Sequence, residues 1–80
     1  MSIDVTTDRV PTAVTRRVQA VLYGLAVDGW VQGTAVEVAP HVGLSVVLVA
    51  EALAWLETAG MVRFELVDGL PGFQLLEGGN

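Results

Sequence analysis

The stretch Thr34 to Gly60, TAVEVAPHVGLSVVLVAEALAWLETAG, constrains the fold more than any other part of the chain. It is rich in apolar helix formers, yet it cannot be one straight helix. Pro40 has no amide proton, and its ring crowds the carbonyl of Val36. Gly43 follows, and glycine tolerates the positive φ of a tight turn. The pattern therefore predicts two helices meeting at a sharp turn. The first starts at Thr34, because Thr34 and Glu37 stand at capping-box spacing. There the hydroxyl accepts from the Glu37 amide while the carboxylate reaches back to the Thr34 amide. This helix is short or kinked and ends between Ala39 and Val42. The second takes Ser45 as its N-cap, runs to Ala59 and stops at Gly60. Val49, Ala52, Leu53 and Leu56 share one of its faces and form its buried side.

A further helix precedes this pair, from Thr12 as N-cap to Val27. Val14, Val18, Val21, Leu22 and Leu25 recur at helical spacing and make its apolar stripe. Gly24 is unfavourable inside a helix, and close approach of a neighbouring helix is the expected reason for it. Gly29 suits a left-handed C-terminal position. Trp30 and Val31 form a very short strand that caps a later hairpin. In that hairpin Val62, Phe64 and Leu66 alternate with Arg63, Glu65 and Val67, so one face is apolar. DGLPG supplies the turn, and Phe73 to Leu76 return. The fold class is mainly α with a small β-hairpin, in one domain over residues 12–76. A flexible lead-in precedes it at 1–11 and a loose tail follows at 77–80.

Eighty residues bury a modest core, so help from elsewhere would matter. No cysteine is present, which removes disulfides and thiolate metal sites. His41 alone makes no metal site; it reads as a surface or half-buried histidine capping a carbonyl. No Ser/His/Asp ordering, phosphate-cradling glycine loop or usefully spaced carboxylate pair is present, so the chain does not read as an enzyme, and no cofactor, metal or small-molecule ligand is inferred. No apolar run is long enough to span a bilayer. The opening MSIDVTTDRVPT lacks the basic start and apolar stretch of a signal peptide, so the expected compartment is the cytoplasm.

Residues 34–65 resemble the winged helix-turn-helix family. Ala39 lies four residues before Gly43, GLS makes the turn, Val49 lies six after Gly43, and LAWLETAGMV is similar to the family's exit into the wing. The resemblance extends over about residues 12–76 and implies three helices plus a C-terminal wing. It also implies that Ser45, Val46, Val47, Ala50, Glu51 and Ala54 occupy the positions that face DNA in the family. Helical rotation independently turns Val47, Ala50, Glu51, Ala54 and Thr58 away from the Val49/Leu53/Leu56 face.

These residues are poor readers of DNA. Base edges are read mostly by Arg, Lys, Asn and Gln, and this helix has none of them. The chain carries a net charge of −5, with no lysine. Arg16, Arg17, Ser45 and Arg63 are the candidate nucleic-acid contacts. Three arginines on phosphates would give a salt slope of only about −2.7. The favoured reading of Arg16 and Arg17 is a solvated helix surface, paired with Asp8 or a glutamate, and that of Arg63 a partner of Glu65 or Gln74.

Val46, Val47, Ala50, Glu51 and Ala54 are therefore expected to meet protein, in a homodimer or an adaptor contact. The tail or wing covering Val46 and Val47 is the plainer option. Leu70 and Phe73 near the wing tip extend the candidate interface. Trp55 is expected in the core, while Trp30 is open between core and partner anchor. The alternatives are a DNA-binding regulator that needs dimerisation or a partner, and an acidic inhibitor of a nucleic-acid-binding protein using Glu51, Glu57, Glu65 and Asp68.

Overall fold

The structure, a computed structural model, describes residues 12–76 of the chain. The elements run α1 (Thr12–Leu25), β1 (Trp30–Gln32), α2 (Ala35–Val42), α3 (Val46–Thr58), β2 (Val62–Val67) and β3 (Leu70–Leu75). Three helices pack beside a three-stranded antiparallel sheet with strand order β1-β3-β2. The expected lead-in and tail lie outside the described residues, as does any contact of Asp8 with Arg16 or Arg17. No single helix among the described residues is long and apolar enough to cross a membrane.

α1 ends two residues earlier than its periodicity suggests. Asp28 (φ 56°) and Gly29 (φ 77°) are both left-handed and form a two-residue turn. Val27 and Trp30 exchange both backbone hydrogen bonds across it, at 3.0 and 3.1 Å. Asp-Gly is a favoured pair for such a turn because its twist matches that of paired strands. Gly29 is therefore a hairpin residue, not a helix terminator. The expected reason for Gly24 also fails. Its α-carbon is exposed, and an added Cβ would meet nothing within 4 Å.

The Thr34–Glu37 capping box forms as the spacing predicts. The Thr34 amide donates to Glu37 Oε1 at 2.7 Å, and Val36 donates to Thr34 Oγ1 at 3.3 Å. α2 stays helical through Pro40 for two more residues and then stops at Gly43, whose φ is 81°. The Gly43 amide donates to the Ala39 carbonyl at 2.9 Å. α3 follows after Leu44 and Ser45, its axis bent 108° from α2. Ser45 Oγ caps it by accepting from Leu48 at 3.2 Å.

The hairpin is longer than expected. Asp68 (φ 55°) and Gly69 (φ 80°) alone make the turn, so Leu70, Pro71 and Gly72 belong to β3. Pro71 fits there because β1 ends before reaching it; its carbonyl still accepts from Gly33 at 2.8 Å. β1 pairs with β3 as well, with Val31 opposite Phe73 and Trp30 opposite Gln74.

One apolar core joins these elements. Val18 and Leu22 come from α1, Val38, Ala39 and Val42 from α2, and Val49, Ala52, Leu53 and Leu56 from α3. Val31, Val62 and Phe73 close it from the sheet. No polar or charged side chain among the described residues is buried. Val14, Val21 and Leu25 line its edge, partly buried. Trp55 lies outside the core, 42% exposed, because it falls on the flank of α3 rather than on the Val49/Ala52/Leu53/Leu56 face.

Candidate functional site

α3 presents the residues singled out by its periodicity to solvent. Val47 is 66% exposed and Val46 41%, and Ala50, Glu51, Ala54 and Thr58 are exposed beside them. Among the described residues Glu51 makes no hydrogen bond or ion pair. The Thr58 hydroxyl donates back to the Ala54 carbonyl at 3.0 Å, which leaves the helix surface short of free polar groups. The face is therefore smooth, mostly apolar and weakly acidic. Ser45 stands at its N-terminal end with its hydroxyl engaged in the cap.

Among the described residues, the arginines are not gathered beside this face as a free basic patch. Arg17 reaches from α1 to the end of α2, where its Nε donates to the Val42 carbonyl at 2.9 Å. That carbonyl is among the last of α2 and has no partner within its helix. The guanidinium thus neutralises a helix C-terminus as well as satisfying an acceptor. Arg17 is exposed at the surface, as expected, with its Nε on a backbone carbonyl; among the described residues no acidic side chain pairs with it. Arg63 pairs with Glu65, Nε to Oε2 at 2.6 Å, which was one of its two expected partners. Gln74, the other, instead donates to the Gly29 carbonyl at 3.1 Å. Arg16 is exposed and makes no hydrogen bond or ion pair among the described residues.

The hairpin corrects one expected contact and adds others. Leu70 is exposed, but Phe73 is buried: its register opposite Val31 and Phe64 directs it into the core. Its ring meets Phe64 edge-on, with centroids 5.4 Å apart. Burial falls away along β2, from Val62 at 2% exposed through Phe64 at 42% to Leu66 at 66%. The hairpin therefore overhangs the helices, and its outer half carries Leu66, Val67 and Leu70 into solvent. Sequence alternation marked Phe64 and Leu66 as inward; only the length of the hairpin, set by the Asp68-Gly69 turn, shows that the core ends before them.

Trp30 is half-buried on the sheet face opposite Val31 and Phe73, with its indole over Gly72. It belongs neither to the core nor to an exposed anchor. A cleft of about 310 Å³ lies between the end of α1, β1 and α2, lined by Leu25, Val27, Trp30, Val38 and His41 among others. Glu37 borders it, but its carboxylate is held by Thr34. The Thr34 hydroxyl and then its amide keep that carboxyl below the usual glutamate range. His41 is exposed and makes no hydrogen bond among the described residues, so it caps no carbonyl there.

Compared with protein-family models, curated proteins and solved structures, the chain matches none of them.

Proposed function

We propose that this chain is a winged helix-turn-helix domain acting as a protein–protein interaction module, with the outer face of α3 as its contact surface. Three features support the fold assignment. The element order puts α2 and α3 around a three-residue turn that contains Gly43, and their 108° angle lies within the range of helix-turn-helix pairs. The β2–β3 hairpin then takes the place of the wing, and β1 flanks it.

The observation that carries the function is the pairing of an apolar α3 face with two arginines, Arg17 and Arg63, already engaged elsewhere. The side chains of Val46, Val47, Ala50 and Ala54 offer DNA no donor to a phosphate or a base edge. They suit a packed protein surface, where burying one valine contributes roughly 1.5 to 3 kcal/mol before the cost of association. The partner is a second copy or another protein. By analogy with the family, the setting is transcription, replication or phage–host regulation.

A titration of labelled random-sequence duplex at about 50 mM and then about 200 mM salt tests this reading directly. No binding is expected at either concentration. Micromolar binding that weakens with salt would overturn the proposal in favour of a DNA-binding regulator. Val47→Glu, with an unchanged circular dichroism spectrum, is expected to break the assembly that the α3 face makes.

A further inference from the structure

We propose that β2 is a second contact surface, at which two copies of this chain pair antiparallel through their free β2 edges and join their sheets into one. The inference stands apart from the use of α3.

The edge is open. β2 lies at the side of the sheet, and no other described strand pairs with its outer side. The hydrogen bonds fix which of its backbone groups are free. Leu75 donates to Gly29, and Pro71 accepts from Gly33, so the odd-numbered residues of β3 face β1. The even-numbered residues of β3 therefore bond β2, through Val67↔Leu70, Glu65↔Gly72 and Arg63↔Gln74. Because these bonds alternate along an antiparallel pair, the amides and carbonyls of Val62, Phe64 and Leu66 point away from the sheet. Natural edges are usually guarded by charged side chains, above all lysine, by proline or by a bulge. This one has no lysine, proline or bulge; its two charges, Arg63 and Glu65, are of opposite sign, and it exposes Phe64 and Leu66 beside them.

The sequence of the strand is complementary to itself in one register. With Phe64 opposite Phe64 of a second copy, Val62 meets Leu66 and Arg63 meets Glu65, each twice. The Phe64 and Val62/Leu66 pairs fall at positions where residues exchange two backbone hydrogen bonds. The Arg63/Glu65 pairs fall between them, where cross-strand side chains approach most closely. Both charged side chains stand on the solvent side of the sheet and already meet within one chain at 2.6 Å, so the pairing extends a contact rather than creating a buried charge.

Charge also rejects the neighbouring registers. A slip of two residues keeps each side chain on its own face. In one direction it sets Arg63 against Arg63, and in the other Glu65 against Glu65. Like charges directly opposite destabilise a strand pair. The strand thus specifies both its partner and its alignment.

Charge exchange tests the proposal. Sedimentation is measured from micromolar to millimolar protein on the full chain and its variants. The wild type is expected to self-associate. In a Val47→Glu background, which removes any pairing through α3, the β2 dimer is expected to persist, while adding Arg63→Glu or Glu65→Arg gives monomers. An equimolar mixture of these two charge variants is expected to recover the dimer, because each acidic strand then faces a basic one. A wild type that stays monomeric, charge variants that still assemble in the Val47→Glu background, or a mixture that does not recover would each overturn the inference. So would a dimer dissolved by Val47→Glu and untouched by charge reversal, which would place self-association on α3. Amide exchange on the wild type needs no variant: the Phe64 and Leu66 amides should be slow in concentrated solution and fast on dilution. Fast exchange in both would also overturn the proposal.

Discussion

Replacing Gly72 by alanine adds a single methyl group, and the structure leaves no room for it. The Trp30 Cη2 atom lies 2.5 Å and the Val31 carbonyl oxygen 2.6 Å from the place a Cβ would take, with Trp30 Cζ2 nearer still. Real Cβ contacts essentially never fall below 3.0 Å, so something must move. The indole is half-buried and can swing outward at the loss of its packing. The carbonyl is part of the β1 backbone and moves only if β1 shifts against β3. Overpacking of this kind costs typically 1 to 3 kcal/mol, and a clash with backbone belongs at about 3. For a domain of this size the melting temperature then falls by about 12 to 24 °C. Urea denaturation of the wild type, Gly72→Ala, Trp30→Ala and the double variant resolves the two clashes. The double variant should recover only part of the loss, since removing the indole leaves the carbonyl in place. A Gly72→Ala variant within about 0.5 kcal/mol of wild type, the range of ordinary surface substitutions, would refute the reasoning.

The opposite sign is expected at Gly24, which sits exposed in α1 with open space where a Cβ would stand. Gly24→Ala should stabilise by about 1 kcal/mol, read as a higher urea midpoint, and a destabilised variant would mean that something unseen packs there. Arg17→Ala should destabilise by about 1 to 2 kcal/mol, because it leaves the Val42 carbonyl without its donor. Loss of amide protection at the C-terminal end of α2 would locate the effect. Glu37 has its pKa lowered in the fold by the Thr34 hydroxyl and amide, so its contribution is fully present above the unfolded glutamate pKa of about 4.3 and is lost as pH falls through the lower folded value. The urea midpoint of Glu37→Gln should therefore lie below wild type at neutral pH and converge with it in acid; a constant gap would show that the carboxylate charge has no part.

What was legible in the sequence is what is local. Thr34 and Glu37, Gly43 and Ser45 each act within four residues, so their types and spacing predict the caps and the turn that the structure contains. The buried face of α3 follows from periodicity for the same reason. Long-range consequences were not legible. Arg17 finds its acceptor 25 residues away, and nothing around Arg17 distinguishes it from Arg16 until α1 and α2 are packed. The Asp28-Gly29 turn competed with a plausible helix end, and the pairing of β1 with β3 decided between them. Phe73 was placed at a wing tip because DGLPG contains several turn formers; two residues sufficed, and the remaining three extended the strand and carried Phe73 inward. At the candidate site, rotation of α3 gave the exposed residues correctly. The exposed Phe64, Leu66 and Val67 depended on where the helices end, which strand alternation does not encode.

The positions of the arginines weigh on the choice between protein and DNA more than the net charge does. A net charge of −5 does not by itself forbid DNA binding, since a few well-placed cations can dominate locally. Here their placement works against it. For Arg17 to reach a phosphate it must give up the Val42 carbonyl, at a cost of about 1 to 2 kcal/mol. For Arg63 to do so it must leave Glu65, whose carboxylate would then face the phosphate uncompensated. Among the described residues Arg16 alone would then contribute, and the salt slope shrinks from about −2.7 to about −0.9, less than a tenfold change in affinity for a tenfold change in salt. The outer face of α3 replaces none of that attraction, because its one charge is Glu51. The same face loses little by leaving water for a protein surface, since Val46, Val47, Ala50 and Ala54 have no side-chain polar group to desolvate. On these terms the groove of a duplex is the more costly environment for α3, and an apolar partner surface the less costly one.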